Sequence, residues 1–350
     1  MAKVLLKGNE AVVRAAIEAG CKYFFGYPIT PQNEIPEYFS KELPKIGGAF
    51  VQGESEVASI NMLYGAAAAG ARAMTSSSSP GIALMQEGIG YIAKAEVPAV
   101  IVNMMRGGPG LGGIQPSQAD YNMCVKGGSN GDYRNVVLAP GNVQELVDMV
   151  QEAFDIADQY GILCIVLADG LIGQMMEPVE LRKPKERPIP AKDWALTGRN
   201  GGKAHRVYNL KLQAPDLEQD NFDLFKKYAV IEKNEKRHED YMMEDAEFAF
   251  ASYGTASRVV RTAVDRLREE GYKIGLIRPQ TLWPFPYEAF DRPQIKKFLD
   301  IELNMGQMVD DVVLGCGDKE KVEFFGHTGG VLITVDEVCD FAKKIMGGAK

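Results

Sequence analysis

The sequence predicts an α/β fold: a parallel sheet covered by helices, followed by a smaller second α/β unit. Residues 98–105 (PAVIVNMM) and 162–168 (ILCIVLA) are apolar with almost no polar interruption, the pattern of strands buried on both faces. An amphipathic stretch at 142–160 lies between such runs, and strand–helix alternation resumes after residue 246. The 350 residues accommodate about two domains at roughly 100–200 residues each.

The elements follow in order. After Met1-Ala2-Lys3 comes a short strand-like run, then a helix over 9–19 and an apolar strand over 22–26. Helix 54–69, strand 71–76, helix 80–94 and strand 98–105 come next, and strand 136–139, helix 142–160 and strand 162–168 complete the first unit. Residues 181–206 are rich in Lys, Arg and Pro and include Gly201-Gly202; they read as an extended connector lying on a neighbouring surface, best ordered against another chain. Residues 221–241 carry many charges at helical spacing and read as a helix with a solvated face. The second unit is expected as strand 248–253, helix 256–270, strand 273–278, a proline-rich turn at 279–286, strand 298–303, helix 306–314, strand 331–334 and a final helix to about Met346. The domain organisation is therefore 1–180, a connector with a charged helix at 181–245, and 246–350.

Composition excludes several functions. Forty-seven acidic residues against 39 basic ones give a net charge of -8, which argues against a nucleic-acid partner. The five cysteines form no C-x-x-C pair, so no zinc ribbon or local iron–sulfur ligand set is expected, and the three scattered histidines build no metal site. His327, in a glycine-flanked loop, could meet a ligand or simply stay solvated like the other two. No apolar stretch approaches the ~20 residues that span a bilayer, and no signal segment opens the chain, so a cytoplasmic protein without membrane contact is expected.

Four places could carry chemistry. Tyr27, Pro28, Ile29 and Thr30 (in YPITPQNE) follow the strand 22–26, at the carboxyl end where α/β sheets bind ligands; a helix-capping role for Thr30 is the alternative. Glu54 and Glu56 (QGESE) open a helix; lying two apart they share no face, so one can point inward while the other stays in water, or both can simply serve the helix dipole. Arg106 ends the strand 98–105, where a guanidinium could grip a carboxylate or remain solvated in a surface loop. Residues 107–113 (GGPGLGG) contain a literal G-x-G-x-x-G, but Pro116 and Gly127-Gly128 leave no room for the helix that a dinucleotide site needs; a loop that shapes a pocket fits better.

Together these motifs resemble the α subunit of 2-oxoacid:ferredoxin oxidoreductases. YPITP, the Glu56 helix and Arg106 are joined by GLIRPQTLWPFP at 275–286 and ELNMGQM at 302–308, in the family's order across essentially the whole chain. Within that family the chain looks most like the branch acting on 3-methyl-2-oxobutanoate (ketoisovalerate), although Gln32-Asn33-Glu34 stand where several relatives carry small residues. The resemblance implies a thiamine diphosphate fold: an N-terminal domain for the aminopyrimidine, then a transketolase C-terminal-like domain. It implies a β subunit holding the diphosphate and Mg2+, γ- and δ-type subunits with iron–sulfur clusters, ferredoxin as electron acceptor, and coenzyme A as acyl acceptor. The chain itself lacks the G-D-G…N pattern of a magnesium–diphosphate domain. By the same resemblance Glu56 bonds the aminopyrimidine beside Tyr27, Pro28 and Ile29, Thr30 bonds the oxoacid, and Arg106 holds its carboxylate until carbon dioxide leaves. A non-redox thiamine diphosphate-dependent transferase subunit and a nucleotide-binding scaffold are the other readings.

Overall fold

The computed structural model describes residues 3–182, 186–199 and 202–348. Met1, Ala2 and Gly201, on which the expectations about the N-terminus and the connector partly rest, lie outside them. The first half runs β1 (Val4–Lys7), α1 (Gly8–Glu18), β2 (Tyr23–Gly26), α2 (Glu34–Glu42), β3 (Ala49–Gln52), α3 (Glu56–Ala68), β4 (Ala73–Ser77), α4 (Ser79–Ala95) and β5 (Ala99–Met105). It continues through α5 (Tyr121–Val125), β6 (Val136–Leu138), α6 (Val143–Tyr160), β7 (Leu163–Asp169), α7 (Gly170–Gln174) and β8 (Met176–Val179). The second half holds α8 (Ala214–Glu235), β9 (His238–Tyr241), β10 (Phe248–Ala251), α9 (Gly254–Glu269), β11 (Ile274–Pro279), β12 (Thr281–Trp283), β13 (Lys297–Glu302), α10 (Val309–Cys316), β14 (Val322–Gly326) and α11 (Val335–Gly348).

Seven strands form the first sheet in the order β12-β6-β7-β5-β4-β2-β3, all parallel except β12. Strands β4, β5 and β7 are buried along their whole length, which is why their sequences need no alternation. Helices α3 and α4 pack together against β2, β4 and β5, while α6, backed by α1, packs on β5 and β7. The second sheet has the order β14-β13-β10-β11-β9, parallel except for β9. Helix α9 covers it with Val260, Ala263, Val264 and Leu267, an i, i+3, i+4, i+7 stripe. The expected α/β architecture is thus present in both halves.

Several local expectations are corrected. The supposed turn at 279–286 contains β12, which pairs with β6 and so inserts a strand from the second half into the first sheet. Residues 238–241 are not the end of the charged helix but strand β9, and α8 starts earlier, at Ala214. Residues 331–334 form no strand; the second sheet is closed by β14 instead. In keeping with an extended connector on a neighbouring surface, Leu196 N–H donates to Ala68 O at 2.9 Å, and Lys192 Nζ donates to Gly70 O at 3.1 Å. Among the described residues no helix is long and apolar enough to cross a membrane.

The halves are joined by polar contacts of α5 and the segment before it. Gln118 donates through Nε2 to Tyr253 O (2.8 Å) and accepts from Leu303 N–H through Oε1 (2.9 Å). Tyr121, fully buried, donates its hydroxyl to Asp311 at 2.6 Å.

Candidate active site

Strands β5, β4, β2 and β3 are neighbours and parallel, so the segments after them emerge along one edge of the sheet. The chain order reverses between β2 and β4, and that switch point is where open α/β sheets leave a crevice. The loop after β2 carries Thr30, the one after β3 leads to Glu56, β4 runs into α4, and Arg106 follows β5. Four scattered stretches of sequence therefore meet at one edge.

The loop after β2 is anchored from below. Gln32 is fully buried, accepts the Ser76 hydroxyl at 2.5 Å, and turns back through its N–H to Ile29 O at 3.0 Å. Glu34 accepts from Asn9 at 2.8 Å and from Gln174 at 3.0 Å. Gln32 and Glu34 are thus structural fastenings of this loop. Tyr27 and Pro28 are exposed, and Ile29 and Thr30 half-buried. Thr30 does not cap α2; its Oγ1 accepts from Asn33 Nδ2 at 3.4 Å, which leaves the hydroxyl proton available to another acceptor.

Helix α3 begins one turn's fraction later than the sequence suggests. Ser55 is its N-cap, accepting from Ala58 N–H at 3.3 Å, so Glu54 lies outside the helix and is exposed, whereas Glu56 is only 6% exposed. Among the described residues the Glu56 carboxylate accepts no hydrogen bond from the chain. A Cβ on Gly81 would stand 2.0 Å from Ser77 Oγ and 2.6 Å from Glu56 Oε1, so α4 approaches this carboxylate only because residue 81 is glycine.

Arg106 is not a surface arginine: it is 6% exposed. Its Nη1 donates to Thr30 O and its Nη2 to Leu111 O, each at 2.9 Å, and among the described residues its Nε–H has no partner. Its backbone N–H donates to Ser79 Oγ at 3.0 Å, so the first residue of α4 fixes it in place. Among the described residues no carboxylate pairs with this guanidinium. The structure brings Thr30 and Arg106 into direct contact and sets both Arg106 and Glu56 against the first turn of α4.

Sequence reasoning missed the parts of α4 that do this. Ser79 and Gly81 belong to a run, Ser76 to Gly81 (SSSSPG), whose hydroxyls at the end of a buried strand were a readable signal of a polar pocket. Asp120 was missed as well. Its carboxylate accepts from Ser79 (2.6 Å) and Asn103 (2.9 Å), and burial, only partly offset by these bonds, pushes its pKa above the ordinary range. Residues 108–113 are followed by no helix before the five-residue α5, so the glycine loop lacks a dinucleotide site's helix N-terminus. The loop and α4 instead border a cavity of about 590 Å³ whose far wall is Asn304, Met305 and Gln307 of the second half. His327 bonds Glu337 at 3.0 Å, and Thr328 beside it reaches this cavity. Among the described residues no group of three or more His, Cys, Asp or Glu could hold a metal ion.

At the sheet's switch point a buried carboxylate and a buried guanidinium thus stand without an oppositely charged partner among the described residues. Comparison with known proteins makes the class specific. Residues 14–245 match the family model of pyruvate flavodoxin/ferredoxin oxidoreductase, thiamine diphosphate-binding, and residues 246–338 match pyruvate:ferredoxin oxidoreductase core domain II. The chain belongs to the thiamine diphosphate-dependent 2-oxoacid:ferredoxin oxidoreductases, as an α subunit of an enzyme that requires partner subunits. It is 47% identical to ketoisovalerate oxidoreductase subunit VorB of Methanothermobacter marburgensis, covering 99% of each chain. It is 37% identical to 2-oxoglutarate synthase subunit KorA of Methanocaldococcus jannaschii, over 95% of this chain and 97% of that one. Among solved structures it resembles 2-oxoglutarate:ferredoxin oxidoreductase from Magnetococcus marinus with 2-oxoglutarate, coenzyme A and succinyl-CoA bound. There the TM-score is 0.87 at 29% identity, over 98% of this chain and 65% of that chain. A split-gene transketolase, 12% identical with a TM-score of 0.60, shares the fold.

Proposed function

We propose that this chain is the aminopyrimidine-binding, oxoacid-holding subunit of an enzyme that converts a branched-chain 2-oxoacid, coenzyme A and oxidised ferredoxin to acyl-CoA, carbon dioxide and reduced ferredoxin. The observation that carries the reading is Arg106. A guanidinium presents five N–H donors; here two go to carbonyl oxygens, while the Nε–H and a second N–H on each terminal nitrogen remain. A buried cation facing only dipoles lacks the counter-charge that burial calls for, and a substrate carboxylate supplies it.

The residues present fit thiamine diphosphate. Glu56 offers a buried carboxylate without a donor of its own, and the Gly81 approach keeps the first turn of α4 against it. When bound, the cofactor supplies the electron sink that makes loss of carbon dioxide possible. Glu56 would hold a proton at a pyrimidine ring nitrogen, with Tyr27, Pro28 and Ile29 beside the ring. Arg106 would orient the oxoacid by its carboxylate, and the Thr30 hydroxyl would donate to the keto oxygen. The diphosphate and Mg2+ are assigned to a β subunit, the iron–sulfur clusters to γ- and δ-type subunits, and the assembly to the cytoplasm.

The branched-chain substrate rests on the similarity to VorB and on the adjoining cavity. Its walls include Pro80, Ala83, Leu84, Met123 and Met305 and no Lys or Arg, which suits an apolar side chain better than the second carboxylate of 2-oxoglutarate. The test is purification of the complex from its source, assay for thiamine diphosphate and iron, and coenzyme A-dependent reduction of ferredoxin with a panel of oxoacids. Highest kcat/KM with 3-methyl-2-oxobutanoate is expected. Preference for 2-oxoglutarate would overturn the substrate, and an iron-free complex with full transferase activity would overturn the redox reaction.

A further inference from the structure

The glycine loop after β5 is a motif that the proposed chemistry does not use. It runs from Gly107 to Gly113 (GGPGLGG) and is closed at its base. Gly107 N–H donates to Gln115 O at 2.9 Å, Gly113 N–H donates to Gly107 O at 2.8 Å, and Arg106 bridges to Pro116. Beyond that stem, among the described residues, no backbone N–H of 108–112 donates to another backbone group. The hydrogen bond that ties the tip to the body runs from Arg106 Nη2 to Leu111 O, at 2.9 Å.

Two features of the loop are not explained by the conformation it holds. Gly112 is required there, since a Cβ would stand 1.9 Å from Gly107 O. Gly108 and Gly113 are not required: neither has its φ in the left-handed region, and a Cβ on either would meet nothing within 4 Å. Glycine carries an entropic cost that a position open to a side chain gives no reason to bear. The second feature is Leu111, which is 82% exposed at the tip. Gly108, Pro109 and Gly110 border the cavity of about 590 Å³, whose wall carries the exposed side chains of Leu84 and Met305. Leu111 follows directly on Gly110 but takes no part in the lining.

The bond to Leu111 connects these features to the substrate. It comes from the guanidinium read above as the holder of the oxoacid's carboxylate, and the inference rests on that reading. Bonds to a carboxylate are roughly twice as strong as bonds to a neutral carbonyl, so an oxoacid arriving on Arg106 draws Nη2 away from Leu111 O. The tip is then free to turn on Gly108 and Gly113. A ligand shifts such an equilibrium only when it favours one of the two states. A branched apolar side chain does so, because closure gives Leu111 an apolar partner while the open state leaves it in water.

We propose that residues 108–112 are a flap released from Arg106 by the substrate carboxylate, and that Leu111 closes over the oxoacid side chain as a specificity-determining residue. A small oxoacid releases the flap but gives Leu111 little to cover.

The test uses the assembled complex with its partner subunits and reads hydrogen–deuterium exchange of the 108–112 segment. Saturating 3-methylbutanoate and acetate serve as unreactive carboxylate probes. Without a probe these amides should exchange fast; 3-methylbutanoate should slow them at least about tenfold, and acetate much less. That protection should be lost in Gly108→Ala/Gly113→Ala, whose unfolding midpoint should match the parent's because both methyl groups have room. In turnover, Leu111→Ala should lower the ratio of kcat/KM for 3-methyl-2-oxobutanoate over that for pyruvate at least about tenfold, the scale on which an apolar pocket reads missing methylene contacts. Amides already protected without a probe would show that a partner subunit covers the tip, and would overturn the flap. Equal protection by both probes, protection that survives the two alanines, or an unchanged ratio in Leu111→Ala would overturn it too. The reading of Arg106 fails separately, through an Arg106→Ala complex whose kcat/KM stays near the parent's. Lost activity in Arg106→Ala beside an unchanged ratio in Leu111→Ala would overturn the flap alone.

Discussion

Arg106 and Arg278 sit at corresponding places in the two sheets, at the carboxyl ends of the parallel strands β5 and β11, and both are buried. Arg278 meets Glu145 through two bonds of 2.6 and 2.9 Å and Glu239 through one of 2.8 Å. Among the described residues the Arg106 guanidinium meets only the carbonyls of Thr30 and Leu111. Burial disfavours the Arg278 cation, but the two glutamates more than offset that and hold it protonated. No carboxylate among the described residues pairs with the Arg106 guanidinium. The same residue in the same topological position is architectural where its charge is answered internally, and waits for a ligand where it is not.

The largest effects should come from the unanswered side of this comparison. Glu56→Gln removes the buried carboxylate while keeping its shape, and oxoacid-dependent ferredoxin reduction by the assembled complex should fall by about 10²–10⁴-fold. Assembly should be unchanged, as judged by subunit content. Turnover near the parent's would remove Glu56 from the chemistry.

Arg106→Ala should lower kcat/KM for the oxoacid by about 10²–10⁴-fold, corresponding to the ~3–5 kcal/mol lost when one member of a buried charge pair is deleted. Without substrate there is no pair to break, so the unfolding free energy should stay within about 1 kcal/mol of the parent's. A large loss of stability would show that Arg106 is architectural after all, and would erase the contrast.

Arg278→Ala tests the other side. It strands Glu145 and Glu239, and because both carboxylates are partly solvated the cost should be about 2–4 kcal/mol, at the lower end for broken buried pairs. Kinetic constants of the folded fraction should be close to the parent's. The effect has a pH signature. Burial pushes the Glu239 carboxyl up, but Arg278 and Arg261 more than offset this and hold its pKa below the ordinary carboxylate value. A depressed folded-state pKa gives stability that is present above the ordinary value of about 4.3 and fades as pH falls through the folded value. The gap between parent and variant should therefore narrow in acid, and denaturation series at pH 7 and pH 4 check it.

The two regions also differ in how far the sequence revealed them. Strands announced by apolar runs are central ones: β4, β5 and β7 in the first sheet, β10, β11 and β13 in the second. Those that escaped notice, β3, β12, β9 and β14, are the four outer strands of the two sheets, and the overlooked β8 belongs to a two-stranded ribbon. An edge strand has one neighbour and a solvated flank, so β3 keeps three of its four residues exposed and β14 is half-buried throughout. Its pattern does not stand out from a loop, and its position depends on a partner distant in sequence, as Thr281 depends on Leu138. The family resemblance pointed to Thr30, Glu56 and Arg106 because each lies at the end of a recognisable element, Thr30 and Arg106 after strands and Glu56 at the start of a helix. It could not show that Arg106 has no counter-ion among the described residues, since that is a property of what surrounds the side chain in space. Ser79, Gly81 and Asp120 were legible only as polarity in an apolar setting.

Asp120 gives the smallest predicted effect and separates the two kinds of buried polar group most sharply. It lies one hydroxyl away from Arg106, through Ser79, yet its bonds to Ser79 and Asn103 engage it as a fixed part of the wall. Burial raises its pKa, and no cation among the causes of the shift opposes that. A carboxyl with a raised folded-state pKa contributes fully below its ordinary value of about 3.9, and that contribution is lost as pH rises through the folded value. Asp120→Asn keeps an oxygen to accept from Ser79 and Asn103 and abolishes the ionisation. The variant should therefore gain stability relative to the parent as pH rises above about 3.9 towards the raised folded value, with kcat/KM little changed. A constant stability difference across that range would mean the Asp120 charge is answered in the folded protein, and Arg106 across Ser79 would then be the first place to look for the counter-charge.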